Sequence, residues 1–392
     1  MGNLGDGLLL AAGPLLVASE TRDPLLVSSA MFLQQLPFLL FGMLAGAYVD
    51  RLDRRLLVAA VDVMRAVVVL ALTVMIVTGV VDIATVLVTM FVLGTAETVS
   101  DIAGQTLLPG LVEKRDLGIA NARVTGAGYI VANQLVGPPI GAFVFAVARP
   151  IPFAATAACY VVGAILVSRI ALRPVARPAE HRPVREEIAE GLRWLWHHKP
   201  VRTLALTIVS FNVTYGAAWG VLVLYSQERL GMSEAGYGWL ATAGALGGLV
   251  ATSSYGWLER TFGMANLMRV GLVLETLTHL ALALTTEPWV ALVVMFVFGA
   301  HAFVWGTTSI TVRQRAVPAH LQGRVGSVYT IGMIGGMLVG APLGGLLARQ
   351  WGLTAPMWFG FIGSAILVTV MWRTLGHIVH DTEPDAVPPP HP

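Results

Sequence analysis

Charged side chains are scarce in this sequence. Only 12% of its 392 residues are Asp, Glu, Lys or Arg, whereas 56% are hydrophobic and the mean hydropathy is +0.72. A water-soluble domain carries about 25% charged residues, so this chain lacks the polar surface needed to face water on every side. The formal net charge of +2 is too small to suggest a nucleic-acid partner. These values exclude an ordinary soluble protein and favour one embedded in lipid.

Cysteine and lysine are almost absent. The single cysteine, Cys159, can form no internal disulfide and belongs to no metal-binding or redox spacing. The two lysines, Lys114 and Lys199, do not follow the glycines of a G-x-x-x-x-G-K-[ST] loop, which excludes an ATP-driven pump on this chain. The sequence also has no serine elbow, no H-E-x-x-H helix and no paired cysteines. It therefore predicts no catalytic residues, no metal site, no cofactor and no enzyme activity.

Long apolar runs fill nearly all of the chain. A bilayer core about 30 Å thick needs roughly 20 apolar residues per helix, and twelve runs satisfy or approach that length. Numbered as spans 1 to 12, they are Leu4–Ala18, Leu25–Val49, Leu56–Thr78, Ile83–Thr106, Val124–Ala148, Ile151–Ile170, Val201–Tyr225, Ala235–Leu258, Ala265–Thr285, Pro288–Ile310, Val325–Leu347 and Ala355–Leu375. Span 1 is short for a crossing, so we expect either a thinned bilayer there or a start further upstream.

The basic residues predict the orientation of these spans. If the amino terminus is inside, most of the 25 Lys and Arg residues lie in cytoplasmic loops, and the outer loops hold only Arg22, Arg149, Arg229 and Arg349. Basic residues concentrate on the cytoplasmic side of membranes. Both termini are therefore predicted to be cytoplasmic, in a multi-pass protein of the cytoplasmic (inner) membrane.

Two short phrases recur in both halves of the chain, one after the fourth span of each half and one within the fifth. They are Gln105-x-x-x-Pro109 with Gln314-x-x-x-Pro318, and Gly137-Pro-Pro-Ile-Gly141 with Gly340-Ala-Pro-Leu-Gly344. Parallel repeats of this kind are typical of secondary transporters. We therefore predict an all-α membrane protein of twelve helices in two pseudo-symmetric six-helix bundles.

The predicted bundles are residues 1–170 and 201–375, joined by a cytoplasmic linker at 171–200. Within the linker, Val184–His198 has the pattern of an amphipathic helix at the headgroup level. Its apolar side would carry Ile188, Leu192, Leu195 and Trp196, and its outer side Arg185, Glu187 and Glu190. The acidic, proline-rich tail at 376–392 is predicted to be disordered.

The loop between spans 2 and 3 carries a recognisable signature. It reads Gly46-Ala-Tyr-Val-Asp50-Arg51-Leu52-Asp53-Arg54-Arg55, which resembles the G-x-x-x-D-[RK]-x-G-[RK]-[RK] motif of the major facilitator superfamily. Asp53 replaces the second glycine of that motif. Aspartate tolerates left-handed backbone geometry and can cap a helix, so we expect Asp53 to begin span 3.

Span 5 strengthens the resemblance. Its phrase Gly137-Pro138-Pro139-Ile140-Gly141 resembles the antiporter motif of the superfamily, although Asn133 and Ala142 stand where glycines are usual. The whole chain is similar to the enterobactin-exporter-like and multidrug-exporter-like branch of bacteria. The resemblance implies alternating access, with spans 2, 5, 8 and 11 at the moving interface. The gating residues it implies are Gly46, Asp50, Arg51, Arg54, Arg55, Gly137, Pro138, Gly141, Gly340 and Gly344.

Ionisable residues inside apolar spans are costly and point to function. Glu97 and Asp101 stand four apart on one face of span 4, where two like charges favour proton uptake by one of them. With Asp6 they are the predicted proton-coupling residues. Asp62 and Arg65, three apart in span 3, predict a structural ion pair. The resemblance implies an arginine in span 4 that this chain lacks, so we expect coupling by the carboxylates alone.

Span 9 carries Glu275 and His279 four apart. The pair could titrate together, but span 9 is usually peripheral in this fold, so we expect a structural or lipid-edge role for it.

Aromatic and polar residues in the remaining spans suggest a binding pocket. The predicted substrate-binding residues are Tyr215, Trp219, Trp305, His301, Asn212 and Asn133. This lining suits a small amphipathic or aromatic compound better than a sugar, which needs more hydrogen-bonding groups. We predict a monomeric exporter that interacts with membrane lipids and exchanges substrate for protons. The alternatives are an importer, a facilitated-diffusion uniporter, or a transport-dead membrane sensor.

Overall fold

A computed structural model describes residues 1–49, 52–108, 111–170 and 184–380 of the chain. In these ranges the regular structure is entirely helical, without strands. We number the α-helices in chain order as α1 (Gly2–Glu20), α2 (Pro24–Val49), α3 (Arg54–Thr78), α4 (Ile83–Leu107), α5 (Leu117–Arg123), α6 (Gly137–Val147), α7 (Ile151–Ser168), α8 (Val184–His197), α9 (Lys199–Trp219), α10 (Leu222–Leu224), α11 (Glu234–Leu284), α12 (Pro288–Ala316), α13 (Gln322–Trp351) and α14 (Ala355–His380).

The helices account for all twelve predicted spans. In the described ranges, nine helical segments are long and apolar enough to cross a membrane, and the pair Lys199–Trp219 and Leu222–Arg229, bent by 45°, makes a tenth. Span 5 is one continuous segment, in which a π-helical stretch, Val124–Val136, joins α5 to α6. The other two spans are α1 and the second arm of α11.

α11 forms two spans, not one. Its 51 residues would extend about 76 Å as a straight helix, more than twice the bilayer core. The trace breaks at Gly263, whose φ of 72° and ψ of 154° suit only glycine. The second arm then runs in the opposite direction to the first.

Contacts with α12 show this reversal. In the first arm, Gly247 approaches Phe296 and Tyr255 meets Thr308 further along α12. In the second arm, the order is inverted, because Gly271 lies against Trp305 and Glu275 against His301. α11 is therefore a tight helical hairpin, and the predicted loop between spans 8 and 9 shrinks to about one residue.

Two expectations about helix starts can be compared with the structure. Asp53 accepts hydrogen bonds from the backbone N–H groups of Arg55 (3.0 Å) and Leu56 (3.2 Å), which confirms it as the cap of α3. The short span 1 is wrong in length, because α1 comprises 19 residues. At 1.5 Å per residue this helix is about 28 Å long and matches the bilayer core.

The helices of each half pack mainly against one another, and two helix pairs make most of the contacts between the halves: α2 with α13, and α6 with α11. These are the predicted spans 2, 11, 5 and 8. The contacts lie at the end of the molecule that carries the α1–α2 loop, which we call the closed end. There Gly345 packs on Leu25 and Ser28, and Gly238 packs on Pro138.

The opposite end, which carries the α2–α3 and α4–α5 connections, is open between the halves. Asp101 and Tyr129 are exposed in the walls of this region, Tyr129 by 51%. A side chain added at Gly126 or Gly335 would meet no neighbouring atom within 4 Å. We call this the open end, and the space it leads to the central cavity.

The predicted gating glycines of spans 5 and 11 do not lie at the interface between the halves. Gly137 and Gly141 pack against the α1 backbone, whereas Gly340 and Gly344 pack against α9. Each pair therefore lies inside one half and not between the halves. Small residues permit such close backbone approach, and the two pairs use matching spans, 5 on 1 and 11 on 7. The close approach between the halves comes instead from Gly238 and Gly345.

The linker helix α8 docks on α13 at the open end. Arg324 of α13 forms an ion pair with Glu190 (2.6 Å) and approaches Glu187 (3.7 Å). Leu195 is buried, whereas Leu192 and Trp196 are exposed. Glu187 and Glu190, predicted to face outward, are 40% and 43% exposed while they pair with Arg324.

Candidate functional site

A buried arginine lies at the centre of the amino-terminal half. Arg65, in the middle of α3, is 4% exposed and forms an ion pair with Asp6 of α1. Its guanidinium also lies 3.8 Å from an oxygen of Asp62 and stacks 4.2 Å over the ring of Tyr160. The Tyr160 hydroxyl donates a hydrogen bond to the same Asp6 oxygen at 2.7 Å. Three helices therefore meet at one charged network.

This network bears on two expectations from the sequence. The predicted Asp62–Arg65 pair exists, but the closer partner of Arg65 is Asp6, which therefore lies at the depth of the middle of α3. The expectation that coupling uses the carboxylates alone remains a prediction, but α3 supplies a buried cation, Arg65, that span 4 lacks. Pairing of this kind offsets the cost of burying an ionised carboxylate.

Glu97 and Asp101 lie on the cavity side of this network. Glu97, partly buried in α4, is a hydrogen-bonding partner of Gln34 in α2 and interacts electrostatically with Asp6, Arg65 and Asp101. Asp101, one turn closer to the open end, is exposed. The structure therefore brings the three predicted proton-coupling residues into one electrostatic unit. Glu97 stands between the buried ion pair and the water-accessible Asp101.

The opposite wall of the cavity is aromatic. Phe211, Tyr215 and Trp219 recur every four residues on one face of α9, and Phe298 of α12 joins them. Ring centroids are separated by 4.5 Å for Tyr215–Trp219, 5.9 Å for Tyr215–Phe298 and 4.5 Å for Trp219–Phe298. We call these four residues the aromatic column. Tyr215 lies within electrostatic range of Tyr129 of the amino-terminal half, so the column is on the side of its bundle that faces that half.

An acid between two histidines lies behind the aromatic column. One Glu275 oxygen is 3.3 Å from Nδ1 of His279, and the other is 3.3 Å from Nε2 of His301. These side chains are only 2%, 0% and 4% exposed. The lipid-edge role expected for Glu275 and His279 is therefore wrong, because the second arm of α11 turns this face toward α12 and the interior.

The other predicted substrate-binding residues are not all together. Tyr215, Trp219 and His301 surround Phe298. Trp305 is buried in a separate apolar cluster among α9, α11, α12 and α13.

The two predicted asparagines are also buried. Asn212 donates to the carbonyl of Ile208 on its own helix. Asn133, in the π-helical stretch, accepts a hydrogen bond from Gln134 at 2.7 Å. These two amide side chains therefore already have partners within their own helices.

The predicted gating arginines are partly described. Arg55 donates to the carbonyl of Ile170 at 2.9 Å and so ties the start of α3 to the end of α7. Arg54 begins α3, and Gly46 belongs to α2. Asp50 and Arg51 lie outside the described residues.

Sequence reasoning missed Tyr160 and Phe298. Nothing in the local pattern distinguishes either from an ordinary packing residue. Their importance comes from partners far along the chain, Asp6 and Arg65 for Tyr160, and Trp219 for Phe298.

Comparisons with known proteins agree with this architecture. Residues 1–388 match the family described as transmembrane secretion effector, MFS_3. The multidrug efflux pump Tap of Mycolicibacterium fortuitum is 28% identical over 373 residues, covering 90% of each chain. Multidrug resistance protein 1 of Bacillus subtilis is 23% identical over 398 residues, covering 97% of this chain and 95% of the relative.

Solved structures share the fold at low sequence identity. A bacterial homologue of the iron transporter ferroportin, in an inward-facing state, aligns with a TM-score of 0.75 at 14% identity over 95% of each chain. A bacterial homologue of the lysosomal transporter Spinster, also inward-facing, aligns with a TM-score of 0.74 at 12% identity over 98% of this chain and 96% of that one. Both are described as homologues of transporters. Since the family match extends over nearly the whole chain, this twelve-helix protein belongs to the transmembrane secretion effector family of the major facilitator superfamily.

Proposed function

We propose that this protein exports small amphipathic or aromatic compounds across the cytoplasmic membrane in exchange for protons. The observation that carries the proposal is a cavity with two chemically different walls. Carboxylates, Glu97 and Asp101, lie on one side, and the stacked rings of Tyr215 and Trp219 lie on the other. Stacked rings bind flat apolar surfaces and organic cations, whereas carboxylates exchange protons.

The relatives support export as the direction. Tap and multidrug resistance protein 1 are named for drug efflux and drug resistance, and both match almost the whole chain. With cytoplasmic termini, as the basic residues predict, the open end faces the cytoplasm. A compound would then enter the cavity from inside the cell and leave after the closed end opens.

The coupling step follows from the charges of the amino-terminal half. Arg65 and Asp6 form a buried ion pair, in which each charge offsets the other. Glu97 lies within electrostatic range of this pair and also of Asp101, between the buried ion pair and the exposed carboxyl. Alternating exposure of Glu97 to the two sides would bind a proton on one side and release it on the other. No cofactor is required beyond the proton gradient.

The test uses purified protein in liposomes with an acidic interior and external ethidium, a fluorescent aromatic cation. We expect Glu97→Gln to reduce gradient-driven ethidium uptake at least about tenfold, which corresponds to a loss of about 1.4 kcal/mol, because an amide cannot exchange a proton. Glu113→Gln is the matched control, since Glu113 is exposed beside Arg115. Gradient-driven uptake that is unchanged in Glu97→Gln would contradict the coupling.

Direction needs a separate measurement. Cells with and without the gene are exposed to ethidium, and its accumulation is read by fluorescence. Lower accumulation in cells with the gene supports export, whereas higher accumulation supports the importer or uniporter alternative.

A further inference from the structure

The group formed by Glu275, His279 and His301, which we call the Glu275 cluster, has no use in the mechanism above. Its imidazole–carboxylate contacts are 3.3 Å long, yet both Glu275 oxygens and Nε2 of each histidine lack a hydrogen-bond partner. His279 Nδ1 instead lies 3.1 Å from the Glu275 backbone carbonyl. Buried polar atoms are almost always satisfied, so these four atoms call for a further partner.

The described side chains that contact the cluster supply no balancing charge. α9 presents Trp219 and, within electrostatic range, Tyr215; α12 presents Phe298; and α14 presents the backbone at Gly360. Tyr215 is the titratable group among these neighbours, and it is neutral at ordinary pH. An ionised Glu275 with two neutral imidazoles would therefore be a net negative charge in an apolar interior, which is strongly disfavoured.

The internal repeat places this cluster opposite the Arg65 network. Glu275 follows Arg65 by 210 positions and Tyr215 follows Asp6 by 209, and Gln105 and Gln314 of the repeated phrase are also 209 apart. The amino-terminal half thus balances its buried acid with an arginine. The carboxyl-terminal half has an acid at the corresponding place, and histidines beside it, so a proton is the cation that fits.

A metal ion does not fit the same site. Across the described part of the chain, no three His, Cys, Asp or Glu side chains are arranged to hold one. A single added proton gives the cluster zero net charge, and it can reside on either imidazole or on the carboxylate.

We propose that the Glu275 cluster is a second proton-binding site, which holds one proton shared among its three side chains. The Trp219–Phe298 contact (4.5 Å) covers the cluster on its cavity side, so the proton is exchanged with cavity water only when these rings separate. The proton enters from water and returns to water as hydronium, and no other reactant takes part. Proton binding stands alone, whereas its use in transport rests on the proposed function.

The test is histidine nuclear magnetic resonance on the full-length protein in lipid nanodiscs, with 15N-labelled histidine. His279→Gln and His301→Gln assign the two signals. Between about pH 5 and 8, the range in which histidine changes charge, we expect both signals to change together in the wild type. In Glu275→Gln the shared transition should be lost, because protonation would then create an unbalanced buried cation. His320→Asn, which removes an exposed imidazole, should leave the transition unchanged.

Absence of a shared transition in the wild type, or its persistence in Glu275→Gln, would overturn the proposal. If Glu275→Gln does not fold, His301→Gln serves instead, since it leaves the Glu275–His279 contact in place. The His279 signal should then titrate over a different pH range, and an unchanged His279 transition would also overturn the proposal. If the protein shows the shared transition but moves no ethidium, the proposed function is contradicted and the proton-binding site is not.

Discussion

At the scale of single residues, Arg65 determines how much negative charge the amino-terminal half can bury. Its guanidinium serves Asp6, Asp62 and the Tyr160 ring at once. A planar group with five N–H donors can do this, whereas a lysine ammonium cannot make the same set of contacts. Asp6 and Asp62 therefore share one cation, and its loss leaves both carboxylates without that partner.

We expect Arg65→Met to destabilise the protein by about 3–5 kcal/mol, the usual consequence of leaving a buried charge without its partner. Thermal unfolding of purified protein measures the loss. The double variant Asp6→Asn with Arg65→Met should recover much of it, because no unpaired charge then remains at that contact. Losses that simply add in the double variant would show that the pair is not coupled.

At the scale of helices, the reversal between the two arms of α11 depends on the backbone conformation of one residue. Gly263 has a φ of 72° that permits the hairpin, and the second arm carries Glu275 and His279. Without the reversal, these side chains would not reach His301 of α12. The conformation of Gly263 is therefore needed to bring together the side chains of the Glu275 cluster.

Gly263→Ala should destabilise the protein by about 1–3 kcal/mol, because a side chain is strained in this region of backbone space. The matched control is Gly256→Ala, seven residues earlier in the helical part of α11, where an added side chain meets no atom within 4 Å. It should be neutral or stabilise by up to about 1 kcal/mol. Equal unfolding midpoints for the two variants would contradict a strained hinge.

The start of α4 gives a pH-dependent prediction. Asp82 accepts a hydrogen bond from the Thr85 backbone N–H at 2.8 Å. Hydrogen bonds with the side chain and backbone of Thr85 hold the pKa of the Asp82 carboxyl below its ordinary value of 3.8. A lowered folded-state pKa contributes stability above the unfolded pKa and loses it as the pH falls through the folded one.

Asp82→Ala should therefore speed hydrogen exchange in the first turn of α4 at neutral pH, and the difference from wild type should vanish in strong acid. Asp82→Asn keeps an acceptor without the charge, so its exchange relative to Asp82→Ala should not depend on pH in this way. A difference that persists below the lowered pKa would argue against a charged cap.

At the scale of the whole molecule, exposed polar contacts help to hold the closed end. Arg22 donates to Gln227 at 2.7 Å and lies 3.7 Å from Glu228, and Arg349 lies 3.7 Å from Asp23. Each joins one half to the other. Exposed ion pairs contribute only about 0–1 kcal/mol each. These contacts therefore favour contact between the halves at this end but can break when the end opens.

The combined Arg22→Gln and Arg349→Gln substitutions should favour the conformation in which the two halves separate at the closed end. The ratio of separated to closed molecules should rise by up to about tenfold, or 1.4 kcal/mol. Distances between spin labels placed across that end report the shift, and added salt should act in the same direction on the wild type. Arg229→Gln is the control, because Arg229 bonds Thr285 within the carboxyl-terminal half. A distance distribution that does not move would locate the restraint in the apolar contacts instead.

Much of the fold follows from the sequence because burial in lipid leaves a strong and local signal. Long apolar runs, basic loops and the repeated phrases around Gln105 and Gly137 predict twelve helices in two related sets, and the Asp53 cap was predictable from its neighbours. The candidate site was only partly predictable. Tyr215, Trp219 and His301 come together, whereas Trp305, Asn212 and Asn133 lie apart from that group.

The sequence by itself determined the lipid environment, the number of membrane spans, the pseudo-repeat and the family. Each of these depends on composition or on residues close together in the chain. Only the tertiary structure decided which charges meet. Asp6 and Arg65 are 59 positions apart and Tyr160 is 154 positions from Asp6, and helical periodicity says which face a residue occupies but not which helix covers it. That choice depends on packing between helices, where small residues such as Gly141, Gly238 and Gly345 fix how closely the backbones approach.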